Sequence, residues 1–386
     1  MQLYDLSEFF RLSSALNYHL SAESLNRYSV LMFLIGGKPL DTDKEKDRSK
    51  KSILMESLNY LFGAYQQKRR RLGPMAVLHP LRSTALFMRS LENPEMIDIL
   101  TSLFHDILED VKPADYENSK WRGLEEQLTA LLERLDEDTA DNLVDRLLSL
   151  TRKDKESYFH YIERLLESAY GAPQLVQTKL ADRLDNTLDM RIDLQDPLEG
   201  VDFFQNIFQL LFVNTYKGYT PQMVHPPPAA IRGEIRLFQL FKNVVLLSLL
   251  RQKPGIADDR SSQTLFNAIC AASLKEAERS YIHLVGYHHK DMESQRTLLL
   301  DAMSYCYSGK SEIITQPDDH QLLDGLFSTY FGHPSKEIRE QRLEILYQNK
   351  PLMMQASIAF IVIFLSFMND PEFYVHGISP DGIRLG

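Results

Sequence analysis

The chain is short of the residues that announce several common kinds of protein. Cysteine occurs twice, at Cys270 and Cys306. Two are too few for a disulfide framework, and no metal-type cysteine spacing is present. Lysine and arginine are outnumbered by aspartate and glutamate, 43 to 53, for a formal net charge of -10. A general binder of nucleic-acid polymers needs a cationic excess to displace counterions, so that class is set aside. A small anionic ligand needs only a local cluster of bases and stays open. The opening text MQLYDLSEFF carries Asp5 and Glu8 and no basic stretch ahead of an apolar run. No signal peptide is read there, and the cytoplasm is the expected location. One strongly apolar stretch, residues 353–368, is interrupted by Gln355, Ser357 and Ser366. It is shorter than the ~20 residues that a spanning helix needs, so a buried core helix and no membrane contact are expected.

What is there reads as helix. Hydrophobic residues make up 44% and charged residues 25% of the 386, enough for a sizeable core. Residues 141–150, 156–169 and 233–250 carry apolar side chains at helical spacing, and no run alternates as a strand would. The expected class is therefore all-α. Residues 41–51 form a dense mixed-charge run, read as a solvated loop or helix start. Residues 216–233 hold Gly218, Pro221 and Pro226-Pro227-Pro228, the punctuation of a linker. The expected division is a helical N-terminal segment (1–55), a domain carrying every motif below (56–215) and a helical C-terminal region (234–386). That last region holds His283, His288 and His289 in HLVGYHHK without a carboxylate pattern, and they read as structural histidines. Tyr281, Tyr287, Tyr305 and Tyr307 read as core or rim aromatics.

The chemistry concentrates in His105-Asp106-Ile107-Leu108-Glu109-Asp110. On one continuous helix Asp106 would lie at about 100° from His105, Glu109 at about 40° and Asp110 at about 140°. Phe104, Ile107, Leu108, Leu100, Leu103 and Met96 would fall at about 160–300°, leaving Ile99 as a misfit. Three carboxylates in one sector repel one another unless a cation lies among them. An imidazole beside carboxylates suits a first-row divalent metal better than calcium. Alone, the motif could equally be an exposed acidic helix end. A second piece is KLADRLDN, residues 179–186, where Asp182 and Asn186 share a helix face opposite Leu180, Leu184 and Leu188. Alone, it is an ordinary amphipathic helix. A third is His79 in Leu78-His79-Pro80-Leu81, after the basic run Lys68-Arg69-Arg70-Arg71. A lone histidine before proline is usually structural. The order His, then His-Asp, then Asp, each on or beside a helical segment, raises the three above their separate weights.

That order resembles the HD-domain superfamily of metal-dependent phosphohydrolases. Within it, Arg70-Arg71-Leu72-Gly73, His79-Pro80-Leu81, HDILED and KLADRLDN are most similar to the (p)ppGpp hydrolase domain of the RelA/SpoT type and to small alarmone hydrolases. The likeness spans residues 61–190. It implies a helical bundle with a metal between the helix ending at Asp110 and the helix holding Asp182, with His79 entering from a third. It implies that His79, His105, Asp106 and Asp182 bind one Mn²⁺, or another divalent first-row metal. Glu109 and Asp110 would position and deprotonate the attacking water. Arg70, Arg71 and Asn186 would contact a small nucleotide substrate. The reaction implied is hydrolysis of the 3′-pyrophosphate of a guanosine nucleotide, releasing pyrophosphate. Two positions depart from the family: Ala76 stands where an aromatic is usual, and Asp185 where LADRLHN has its histidine. Neither is a ligand, but both bear on the base pocket. Two alternatives follow: an HD phosphohydrolase of another nucleotide or phosphoester, and a nucleotide-sensing module. The C-terminal half could serve a protein partner or a homo-oligomer, and no synthetase-like text follows Met190.

Overall fold

The computed structural model describes residues 26–188 and 233–288 with short gaps, and isolated positions from 293 to 361. Among these residues the regular structure is helical, apart from one antiparallel bridge between Arg69 and Met75. The fold is all-α. By its contacts the chain forms two compact units.

The first unit comprises Met1–Asp154, Arg164–Leu188 and Lys253–Ile269. Helix α1, Arg27–Ile35, starts where the Asn26 side chain accepts the Tyr28 amide (2.9 Å) and stops at Gly36. Gly36 has φ +61°, and its neighbour Gly37 +73°, a conformation that a Cβ disfavours. Helix α2, Lys44–Ala64, is capped by Asp43, whose carboxylate accepts the Glu45 and Lys46 amides. The mixed-charge run is thus a helix start. Leu54, Leu58 and Leu61 form its buried stripe. The helix continues unbroken through residues 55 and 56.

Helix α3, Leu78–Ser90, is buried from Leu78 to Met88 and packs against α1, against α4 (Met96–Leu103) and, most extensively, against α9 (Gln174–Leu188). Pro80 costs α3 nothing, because first-turn amides have no helical acceptor. After α4 come the single turn α5, Ile107–Asp110, a short 3-10 turn at Pro113–Asp115, and α6, Asn118–Leu132. Helix α7, Glu137–Leu150, packs Leu143, Leu147 and Leu150 inward and touches α4 and α9. Helix α8 is Tyr158–Ser168, α10 Gly233–Arg251 and α11 Arg260–His288. The start of α11 belongs to the first unit, where Asp259 accepts a hydrogen bond from the Gln177 side chain (2.6 Å).

The second unit comprises Lys155–Glu163, Asp189–Gln252 and Cys270–Gly386. Val244 to Leu247 of α10 are fully buried, and Asn243 donates to the Ser273 hydroxyl (2.8 Å). Ile358 and Ile361 are helical and buried; the rest of residues 353–368, and the linker at 216–232, lie outside the described residues. Among the described residues no helix is long and apolar enough to cross a membrane.

One expectation is corrected. His105 to Asp110 do not continue a single helix: α4 ends at Leu103, and Phe104 to Asp106 form a turn before α5. The cause is local. In a continuous helix the Ser102 carbonyl would accept the Asp106 amide; here it accepts the His105 ring Nδ1 (2.7 Å). The change of direction undoes the projected dry face, and Leu108, expected inside, is 43% exposed. Ile99, the projected misfit, is buried, because α4 is enclosed on every side from Asp98 to Leu103.

Candidate metal centre

Three elements meet at the site. Helix α3 brings His79, the α4–α5 turn brings His105 and Asp106, and α9 brings Asp182. One ligand atom from each of the four lies within 4.8 Å of all the others. His79 Nε2 stands 3.0 Å from Asp182 Oδ1 and 3.3 Å from Asp106 Oδ2. His105 Nε2 stands 3.3 Å from Asp106 Oδ2, 3.4 Å from His79 Nε2 and 4.0 Å from Asp182 Oδ1. A first-row ion bound at about 2.1 Å holds adjacent ligand atoms roughly 3 to 3.4 Å apart. Four of the five separations fall in that range and the fifth, His105 to Asp182, exceeds it, so the group could hold such an ion.

Their protonation fits as well. His105 Nδ1 faces the Ser102 carbonyl, which can only accept, so Nδ1 carries a proton. His79 Nδ1 faces the carboxylate of Asp185 at 2.7 Å and likewise donates. In each neutral imidazole Nε2 then keeps its lone pair, and both lone pairs point at each other and at two carboxylates. Four lone-pair donors converging on one point, three buried and Asp106 half-buried, need a cation or protons between them.

Without a metal, protons fill the gap. Burial and the Arg70 charge work against a charged His79, yet hydrogen bonds to Asp106, Asp182 and Asp185 hold its pKa well above the ordinary imidazole value. His105 is also raised, against burial, by the charge of Asp106. Asp106 stays ionised despite burial, held well below the carboxylate range by His105. Asp182 is held low too, against burial, by Lys179 and then by His79; Lys179 Nζ lies 2.7 Å from Asp182 Oδ2.

The remaining expected residues divide. Asp110 lies at the edge of the cluster, where it accepts the Tyr65 hydroxyl (3.0 Å), and its backbone carbonyl accepts from Lys68. Burial, then the charge of Asp106, raises its pKa. Glu109 turns elsewhere: its carboxylate accepts the backbone amide of Arg152 (2.7 Å), beyond the end of α7. Arg70 reaches the site because the Arg69–Met75 bridge and an Ala76 amide to Lys68 carbonyl bond (3.0 Å) fold its segment back beside α3. Arg70 donates to Asn186 Oδ1 (2.5 Å), and Asn186 donates to Asp182 Oδ1 (2.5 Å). Arg71 lies outside the described residues, as do the side chains of His283, His288 and His289.

Sequence reading missed Arg82, and it assigned Asp185 to the base pocket, not to a place behind His79. Asp185 is a fully buried carboxylate, about 2 in pKa despite its burial because Arg82 and His79 hold it ionised. Arg82 binds it with Nε and Nη2, at 2.7 and 3.1 Å. The available signal was spacing: Arg82 is one turn beyond His79, and Asp185 one turn beyond Asp182.

Compared with models of known families, with curated proteins and with solved structures, the chain shows no match.

Proposed function

We propose that this chain is a divalent-metal-dependent phosphohydrolase acting on a phosphorylated nucleotide, with hydrolysis of the 3′-pyrophosphate of (p)ppGpp as the leading reaction. The observation that carries the metal requirement is the convergence of two Nε2 lone pairs and two carboxylates, one ligand atom of each within 4.8 Å of all the others. The substrate class rests on the resemblance of residues 61–190 to alarmone hydrolases and on the cation Arg70 beside the cluster. A cytoplasmic location accords with such a substrate.

His79, His105, Asp106 and Asp182 would hold the ion, Mn²⁺ by the resemblance. Such an ion supplies a water of lowered pKa and polarises a phosphoryl oxygen. Asp110, at the rim with a raised pKa, takes the proton of the attacking water. Glu109 holds the backbone at Arg152. Arg70 offers a planar pair of donors to phosphate oxygens. Asn186 links Arg70 to the cluster and would contact the nucleotide. In the reaction the water oxygen bonds to the phosphorus on O3′, the P–O3′ bond breaks, and O3′ takes up a proton. Pyrophosphate leaves, and GDP remains from ppGpp.

One observation favours a second reading, another nucleotide or phosphoester. Arg70 Nη1 lies 3.5 Å from Asp185, where the resembled family has histidine, so part of its charge is already answered inside the protein. The test is a hydrolysis panel with Mn²⁺-loaded protein, covering ppGpp, pppGpp, 3′-phosphorylated and 5′-phosphorylated nucleotides. The expected result is Mn²⁺-dependent conversion of ppGpp to GDP and pyrophosphate, abolished in Asp182→Ala. Turnover of other nucleotides alone would select the second reading. A metal-loaded protein that turns over none of them would end the hydrolase proposal and leave a nucleotide sensor.

A further inference from the structure

We infer that Arg82 and Asp185 form a positioning relay that locks His79 as its Nδ1–H tautomer and aims its Nε2 at the metal cluster. The relay rests on the metal-centre part of the proposed function and needs no particular substrate.

Asp185 is 1% exposed and Arg82 4%. Removing two charges from water costs about as much as their attraction returns, so a buried ion pair is weak evidence of a stabilising role. What sets this pair apart is its third member. Asp185 Oδ1 accepts Arg82 Nε (2.7 Å), while Oδ2 accepts both Arg82 Nη2 (3.1 Å) and His79 Nδ1 (2.7 Å). Arg70 Nη1 stands 3.5 Å from the same Oδ2. The two-pronged grip fixes the plane of the carboxylate, and the carboxylate fixes the ring of His79.

Helix geometry explains why the three meet. His79 and Arg82 are three apart on α3, and Asp182 and Asp185 are three apart on α9, so each pair shares one helix face. The facing α3 and α9 therefore present two contacts from one seam: His79 Nε2 to Asp182 at 3.0 Å, and His79 Nδ1 to Asp185 at 2.7 Å. One imidazole is held from both ends by successive turns of the same helix. A carboxylate behind a ligating histidine fixes the tautomer and raises ligand basicity, and its loss typically weakens metal binding about 10–100-fold. His105 is served differently, by the neutral Ser102 carbonyl. The two histidines thus differ in what stands behind them, and His79 is the one with the charged support.

The test uses the full chain and the metals alone. Asp185→Asn keeps an acceptor but loses the charge. Arg82→Met/Asp185→Leu removes both charges together, so that neither is left buried without its partner. Mn²⁺ affinity is measured by calorimetry, Co²⁺ coordination by its visible spectrum, and the His79 Nδ1 proton by ¹⁵N-histidine NMR on the Zn²⁺-loaded protein. Circular dichroism checks that each variant is folded. The expected result is a slowly exchanging Nδ1 proton in the parent that is lost in the double variant. Mn²⁺ binding should be about 10-fold weaker in Asp185→Asn and up to about 100-fold weaker in the folded double variant, with an altered Co²⁺ spectrum. Unchanged affinity and spectrum in either folded variant would overturn the relay, even if the parent hydrolyses ppGpp. A parent that turns over no nucleotide, while these variants lose metal, would leave the relay standing and remove the hydrolase reading. A parent that binds none of the three ions would remove both.

Discussion

At the scale of single residues, the proposed metal centre sets protons and a cation in competition for the same lone pairs. His79 and His105 both titrate above the ordinary imidazole value in the metal-free protein. Each must surrender its Nε2 proton to bind an ion, so Mn²⁺ affinity should rise with pH above about 6.5. The sign for the metal-free fold runs the other way. A histidine whose pKa is raised on folding adds stability that is complete below about 6.5 and is lost as pH rises through the raised value. Asp106 and Asp182, depressed on folding, add stability above about 3.9 that is lost as pH falls through their lowered values. The metal-free protein should therefore melt at its highest temperature between about pH 4 and 6.5, and lose stability above that window. Mn²⁺ should restore what is lost, adding about 2.7 kcal/mol at an ion concentration 100 times its Kd. Melting curves with EDTA and with Mn²⁺ at pH 6 and pH 8 measure this directly. An Mn²⁺-induced rise in Tm no larger at pH 8 than at pH 6 would contradict it.

At the scale of elements, the turn between α4 and α5 separates the two carboxylates that the sequence placed together. On a continuous helix Glu109 and Asp110 would both face the metal sector. The turn instead leaves Asp110 against Tyr65 and sends Glu109 to the Arg152 amide. If the hydrolase reading holds, Asp110→Asn should lower kcat by about 10²–10⁴-fold, the usual contribution of a general base. Glu109→Gln, which keeps an acceptor for Arg152, should cost far less. Equal losses, or a larger loss at Glu109, would mean that the two exchange roles when substrate binds. Sequence periodicity could not show this turn. No glycine or proline marks it, and its cause is a side chain, His105, taking a backbone carbonyl from its own helix. Where the apolar pattern follows ordinary packing, the reading holds: Leu143, Leu147 and Leu150 line α7, and residues 233–250 fall within α10. It fails on α4, where burial on every side leaves no wet face for periodicity to find. The four proposed ligands were legible by their order. Arg82, and the link from Asp185 to His79, were not, because a buried charge on an apolar helix face reads as a lapse in the pattern until its partner on another helix is known.

At the scale of the whole chain, the unit that holds the four proposed ligands is not one stretch of sequence. The linker signals at 216–233 invite a cut near residue 215, which would deliver residues 56–215 with every motif intact. The ligand-bearing unit nevertheless includes Lys253–Ile269. In that segment Ser262, Leu265, Ala268 and Ile269 are buried, and Asp259 both accepts from Gln177 and caps the start of α11 through the Ser262 amide (2.8 Å). Gln177 stands on α9, two turns ahead of Asp185. Burying a side chain such as Leu265 or Ile269 contributes about 1.5–3 kcal/mol. Losing both, together with the part-buried Asp259–Gln177 bond at about 1 kcal/mol, removes several kcal/mol from a domain whose total stability is typically 5–15 kcal/mol. A fragment ending at residue 215 should thus keep all four ligands and still melt well below the full chain, or fail to fold, with weakened Mn²⁺ binding because α9 has lost its support. A fragment carried through residue 269 should recover both properties. Circular-dichroism melts and Mn²⁺ titrations of the two fragments decide the matter: equal melting and equal affinity would show that the segment at 253–269 is dispensable and that the metal-binding unit ends where the linker begins.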